Sequence, residues 1–137
     1  KKELFKTSFG KYVVPQLIEN KFKESLFIDN LIVLGENEKF VAALIAPDFQ
    51  HLKTWCERKD IPYTTNAEMV LLPRIKKRFE KEIKLFNESF GDYEQIRSFE
   101  LMPLEWAIES GELTPTLKLR RNFINKKFAD NIQKLFK

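Results

Sequence analysis

Two runs, Phe27-Ile-Asp-Asn-Leu-Ile-Val-Leu34 and Lys39-Phe-Val-Ala-Ala-Leu-Ile-Ala46, flank the short segment Gly35-Glu-Asn-Glu38. Both are rich in β-formers, and a glycine-led polar turn between such runs is a strong β-hairpin signal. A strand with one wet face alternates apolar and polar residues. These runs are apolar almost throughout, so both faces of the sheet must be covered. Helices therefore have to flank it. Pro47 stops the second strand.

The rest of the chain supplies those helices. Leu4 to Val14 alternates around Gly10, as a short hairpin or loop-strand does. Pro15 ends the Tyr12–Val14 strand and opens a helix through Lys23, with Leu17, Ile18 and Phe22 sharing a face. Asp48 is placed to cap a helix over 49–58, where Phe49, Leu52, Trp55 and Cys56 form a stripe. His51 falls off that stripe, towards solvent. After the loop Asp60–Asn66, Thr65 or Asn66 caps a helix through Leu72, and Pro73 kinks it or starts another. Ile75, Phe79, Ile83, Phe86 and Phe90 then recur at helical spacing. The charges from Arg74 to Lys84, Arg78 and Glu82 among them, occupy the outer face, either solvated or, around Arg74–Arg78, meeting an anionic surface. Gly91 ends that helix, and Gln95–Met102 reads as a third strand. Leu104–Ile108 is a turn or short helix. Asn122–Phe136 is a single closing helix with Ile124, Phe128, Ile132 and Leu135 inward. The expected fold is α+β: a small, mostly antiparallel sheet of at least three strands, packed by four to five helices, with an N-terminal hinge or hairpin.

At 137 residues the chain is one domain, 1–137, able to bury a core. Its 24 Lys and Arg are balanced by 20 Asp and Glu, for a net charge of +4, which is the mixture of an ordinary surface. One Cys excludes an internal disulfide, and one Cys with one His cannot assemble a zinc site, so no metal centre is expected here. A reducing, cytoplasmic compartment is expected. No apolar run reaches the ~20 residues that span a bilayer, although peripheral contact with a membrane is compatible with the sequence. No secretion signal accompanies the sequon Asn87-Glu-Ser89, which reads as chance. The chain opens on Lys1 rather than Met and reads as a piece of something longer.

Chemistry gathers in Gly111-Glu-Leu-Thr-Pro-Thr-Leu-Lys-Leu-Arg-Arg121. Gly111 permits a turn, and Pro115 with its neighbours is expected to hold the backbone extended. Leu117 and Leu119 alternate with Lys118 and Arg120, so the leucines anchor while the cations project the other way. The result is a lysine on a braced loop just ahead of the last helix.

Glu105-Trp-Ala-Ile-Glu-Ser-Gly-Glu-Leu-Thr-Pro-Thr-Leu-Lys-Leu-Arg-Arg121 closely resembles the lysine motif near the C-terminus of long-chain fatty acid–CoA ligases, members of the AMP-forming adenylate superfamily. A shorter form in that superfamily reads Thr-x-x-Gly-Lys-x-x-Arg. At the other end, the run from Lys1 to Asn20 resembles the hinge and following loop of the same family, usually Lys-Glu-Leu-Ile-Lys-Thr-Ser-Gly-Gly-Lys. Phe9 replaces the first of the two usual glycines, so either its backbone needs no positive φ or the loop takes a variant shape. Together the two motifs bracket nearly the whole chain.

The resemblance implies a mobile lid domain in which Lys118 is the catalytic lysine of acyl-adenylate formation. It implies that Lys2 is the hinge residue, and that Phe9, Gly10 and Lys11 form the loop approaching the pantetheine arm of CoA. ATP, CoA and Mg2+ would serve the full-length enzyme, with the adenine pocket, phosphate loop, metal ligands and acyl tunnel in a large N-terminal domain. That domain and the substrates fatty acid, ATP and CoA are the implied partners. None of these cofactors is expected to bind the isolated domain. Two other classes compete: a small basic nucleic-acid-binding module and a non-catalytic interaction domain. The first wants cations and aromatics interleaved on a sheet face, where these strands are almost purely apolar. The second is disfavoured by the presence of the lysine itself.

Overall fold

The computed structural model describes residues 3–137, and over these the chain is α+β. Strands β1 (Phe5–Lys6) and β2 (Tyr12–Val13) form a small antiparallel hairpin leading into helix α1 (Pro15–Phe22). Strands β3 (Ile28–Leu34) and β4 (Val41–Pro47) follow, then helices α2 (Phe49–Arg58), α3 (Asn66–Met69) and α4 (Pro73–Asn87). A 3-10 turn at Asp92–Glu94 precedes strand β5 (Ile96–Leu101), and helices α5 (Arg121–Lys127) and α6 (Ala129–Leu135) close the chain.

The expected hairpin is present, with Leu31 opposite Ile45 and Val33 opposite Ala43. The third strand joins the far side of β4, giving the order β3-β4-β5, with Ala43 opposite Phe99 and Ile45 opposite Leu101. Two of the three ladders are antiparallel, and the β4–β5 ladder is parallel. A parallel neighbour needs a long crossover, and α2, α3 and α4 are that crossover.

Strand β4 is buried at every residue. Leu31, Val33, Val41, Ala43 and Ile45 face a layer built from α1 to α4. Ile32, Ala42, Leu44 and Ala46 face the opposite way, onto Trp106, Leu113, Ile124 and Leu135. The alternation of a strand thus distributes one apolar run between two cores. On the larger side the Phe27 and Phe79 rings meet edge-on at 6.0 Å, and Phe22 packs against Phe86 and Phe90.

Local signals act as their chemistry requires. Asp48 caps α2 by accepting from the His51 amide, and Thr65 caps α3 by accepting from the Glu68 amide. Pro73 starts α4 rather than kinking it.

Four local expectations need correction. Leu17 is half exposed, and Glu19 takes the buried position beside Ile18 and Phe22. His51 is half-buried, its ring edge-on to Phe27 at 4.7 Å, because the aromatic cluster reaches beyond the helix stripe. Glu82, placed on the outer face of α4, is buried: it accepts from Ser25 Oγ at 2.6 Å and pairs with Arg78 at 2.9 Å. The Arg78 guanidinium in turn covers the Phe27 ring at 4.4 Å, so Arg78 serves internal packing. Finally, the closing helix is two helices. Phe128 leaves helical geometry (φ −111°, ψ 29°), its ring stacked on Trp106, and the last turns redirect Ile132, Leu135 and Phe136 to the sheet.

Polar side chains close both sheet edges. Glu19 accepts from the Val33 amide at 2.8 Å on the β3 edge. On the β5 edge the Asn87 amide group donates to the Ile96 carbonyl and accepts from the Ile96 amide, at 3.0 and 2.9 Å. Both remove unpaired backbone groups from exposed edges. The side chain of the sequon asparagine is therefore already committed.

Glu112 is 2 % exposed and ties the segment after β5 to α5. Its carboxylate accepts from Lys127 Nζ at 2.6 Å, from the Ser110 hydroxyl, and from the Ala107 amide at 3.2 Å. Burial pushes this carboxyl up, but the Lys127, Ser110 and Ala107 bonds outweigh burial and hold it below the usual carboxylate value. A lowered folded pKa means stability that is present above the unfolded value and lost as pH falls through the folded one. Glu112→Gln should therefore lower unfolding free energy at pH 7 by roughly 1–3 kcal/mol. The gap to the parent protein should narrow on acidification, and urea titrations at a series of pH values below neutrality would measure it. A gap independent of pH would show that the charge of Glu112 is not what matters.

Candidate functional site

Lys118 stands on a closed hairpin. Leu113 and Leu119 form an antiparallel bridge at its base. Outside the bridge the Arg120 amide donates to the Glu112 carbonyl, and inside it the Thr114 amide donates to the Lys118 carbonyl, each at 2.8 Å. The Leu117 amide closes the turn onto the Thr114 carbonyl, also at 2.8 Å. Thr114 Oγ1 accepts from the Lys118 amide at 3.0 Å and lies 3.1 Å from Thr116 Oγ1. Pro115 sits in the turn, where no amide proton is needed. The segment is thus a tight turn rather than the extended run expected, because these local bonds satisfy the backbone within four residues.

Leu117 does not anchor on the core. It is 61 % exposed and left-handed, with φ +66°. That conformation costs a residue with a Cβ about 1–2 kcal/mol, and glycine almost nothing. The shorter superfamily pattern, Thr-x-x-Gly-Lys-x-x-Arg, has its glycine at this place, so Leu117 holds a glycine's conformation without being one. Leu119 does pack, half-buried against the core that contains Ile124.

The two cations also part company. Lys118 is exposed and forms no ion pair among the described residues. Arg120 folds back: its guanidinium donates to the Gly111 carbonyl at 3.1 Å and covers the Phe123 ring at 5.0 Å. Gly111 (φ +98°) turns the chain so closely over that ring that a Cβ would lie 2.4 Å from it. Arg121 opens α5 and points the other way, into a bidentate pair with Glu19 at 2.6 and 2.8 Å. The Arg121 role and the Glu112 network were not anticipated from sequence. The signal for Arg121 was its place as the last residue of Lys-x-x-Arg, whereas an isolated Glu112 carries none. Lys118, Glu19 and Arg121 line one cleft of about 340 Å³ between the lysine hairpin and α1.

The N-terminal loop lies on a different groove. Thr7 and Lys11 close the β1–β2 turn, the Thr7 amide donating to the Lys11 carbonyl at 2.9 Å. Gly10 supplies the left-handed residue, φ +79°, with open space where a Cβ would stand, so its need is conformational. Phe9 is not left-handed and is 70 % exposed, so replacing a glycine there strains nothing. Lys11 Nζ lies 5.7 Å from the centre of the Tyr93 ring. Phe9, Lys11 and Tyr93 line a groove of about 310 Å³ with Lys39 and Arg97. This groove and the Lys118 cleft share no lining residue. Lys2, the expected hinge, lies outside the described residues. No cluster of His, Cys, Asp or Glu among the described residues could hold a metal, and none of their helices is long and apolar enough to cross a membrane.

A family model for the AMP-binding enzyme C-terminal domain matches residues 3–137. Among curated relatives, a long-chain-fatty-acid–CoA ligase of Mycobacterium tuberculosis is 28% identical over 99% of this chain and 23% of its own length. Long-chain-fatty-acid–CoA ligase 6 of Homo sapiens is 30% identical over 99% of this chain and 20% of its own. The chain thus spans about a fifth of the relatives it matches. Of solved structures, the adenylation domain of a carboxylate reductase from Mycobacterium chelonae superposes with a TM-score of 0.77 at 18% identity, over 97% of this chain and 19% of that one. A fatty acyl CoA synthetase of Mycobacterium tuberculosis gives 0.57 at 11%, over 93% and 20%. At those identities the structural likeness speaks for the fold, while the sequence match over nearly every residue speaks for descent. This chain belongs to the family of AMP-binding enzyme C-terminal domains.

Proposed function

We propose that this chain is the mobile C-terminal domain of a long-chain fatty acid–CoA ligase, and that Lys118 is its catalytic lysine. The observation that carries this reading is the exposed Lys118 ammonium on a turn stiffened by four hydrogen bonds and a left-handed Leu117. A strained, over-determined turn that presents one cation is the kind of place where function resides.

In the proposed reaction a fatty-acid carboxylate oxygen attacks the α-phosphorus of ATP, and the bond to pyrophosphate breaks. The transition state brings two anions together, so a fixed ammonium stabilises it more than it stabilises either ground state. The acyl group then passes to the CoA thiol, which displaces AMP. For that step the domain turns its other groove to the site. There, exposed Phe9 and Gly10 suit close passage of a pantetheine arm, and Lys11, Lys39 and Arg97 suit phosphate groups. Mg2+ would accompany ATP on the large N-terminal domain, and no step assigned to these residues runs through it. The nucleic-acid reading wants an open sheet face on which bases could stack, whereas β4 is buried at every residue and β3 at five of its seven.

Single-turnover kinetics on each half-reaction test this reading. In the full-length enzyme, Lys118→Ala should slow acyl-adenylate formation by about 10²-fold or more. The loss should fall on kcat and leave ATP affinity unchanged. Given preformed acyl-adenylate and CoA, the variant should make thioester at nearly the parent rate. Intact adenylation in Lys118→Ala would refute the assignment.

A second test concerns the turn. Leu117→Gly should be neutral or stabilising by up to about 1 kcal/mol, since relief of left-handed strain offsets glycine's extra unfolded entropy. Leu117→Val, β-branched at positive φ, should lose about 1–2 kcal/mol. Thermal melts of the 137-residue chain would read both, and a large loss in Leu117→Gly would mean that the leucine is anchored after all.

A further inference from the structure

Three contacts converge on one guanidinium. Arg121 donates from Nη1 and Nη2 to the Glu19 carboxylate at 2.8 and 2.6 Å, and from Nε to Glu3 Oε1 at 2.8 Å. Glu19 is itself fixed, because its side chain is 5% exposed and its Oε2 also accepts the Val33 amide at 2.8 Å. Glu3 is the opposite: 71% exposed, ahead of β1, with Arg121 as its only side-chain partner among the described residues. Arg121 lies three residues after Lys118 and two after Leu119, the residue that closes the lysine hairpin. Glu3, Lys118 and Arg121 line the same cleft.

An exposed ion pair such as Glu3–Arg121 adds little to stability, so its consequence is geometric. The planar fork of an arginine can hold two carboxylates in fixed directions at once, which a lysine cannot. Resting on the reading of Lys118 above, we infer that Arg121 is a positioning residue coupling the segment by which the chain enters the domain to the lysine hairpin. Clamped at Glu3, the entry segment turns with the hairpin as one body. Without the clamp, slack between entry point and hairpin displaces the ammonium, and displacement by about 1 Å can cost 10²-fold in rate.

The test is a double-mutant cycle in the full-length ligase with Glu3→Gln, Arg121→Lys and both together, Lys118→Ala serving as control. Glu3→Gln should slow single-turnover adenylation about 10-fold, less than full displacement would. ATP KM, thioester formation from supplied acyl-adenylate, and melting temperature should stay unchanged. Arg121→Lys should slow adenylation at least as much, and the double variant no more than Arg121→Lys alone, because both break one contact. If Arg121→Lys fails to fold, Glu3→Gln decides by itself, since it alters an exposed side chain. Parent-rate adenylation in Glu3→Gln beside a slow Lys118→Ala overturns the coupling alone. Equal loss in both half-reactions, or additive effects, reduces Arg121 to a structural role and overturns it too. Normal adenylation in Lys118→Ala overturns the coupling together with the reading on which it rests.

Discussion

Strand β4 has no contact with water on either face, and the rest of the molecule follows from that. A strand of Val, Ala, Leu and Ile can be buried only if its backbone is paired on both sides and its two faces are covered. Pairing on one side comes from the adjacent hairpin strand. On the other it comes from β5, which runs parallel and so requires the residues between Pro47 and Ile96 to cross over a face as helices. The opposite face is left to whatever follows β5. That remainder is the lysine segment and α5–α6, so the candidate site is part of the cover of the second core.

This explains how a short polar turn can be rigid. Its base is held from below by Leu113 and Leu119 on the core, and from the sides by buried carboxylates. Glu112 fastens the segment after β5 to α5 through Lys127, and Glu19 on α1 holds Arg121, just after the hairpin. Breaking such a pair by removing one partner leaves a buried charge uncompensated, which is costly. The hairpin tip therefore has few alternatives, and the left-handed Leu117 is maintained by contacts made elsewhere.

The two candidate surfaces are carried by different elements. The lysine cleft opens between the hairpin and α1, and the Phe9–Lys11 groove opens beside the edge formed by β5 and the 3-10 turn. They share no lining residue. That separation is what the proposed two-orientation role requires of the domain.

Apolar runs, caps and proline positions are properties of consecutive residues, so the sequence by itself determined the strands, α2, the start of α4 and the hairpin around Gly10. The lysine motif was equally legible, because its residues are contiguous. Tertiary structure decided what depends on distant partners. Glu82 reads as a surface charge until Ser25 and Arg78 are seen beside it, and His51 as a solvent residue until Phe27 is. The parallel ladder, the break at Phe128 and the inward turn of Glu19 are choices among packings that local propensity ranks nearly equal. Leu117 is the clearest case. Alternation argued that it should be buried, but the hairpin from Leu113 to Leu119 closes on itself by hydrogen bonds, and closure demands one left-handed residue whose side chain then has nowhere to go but solvent.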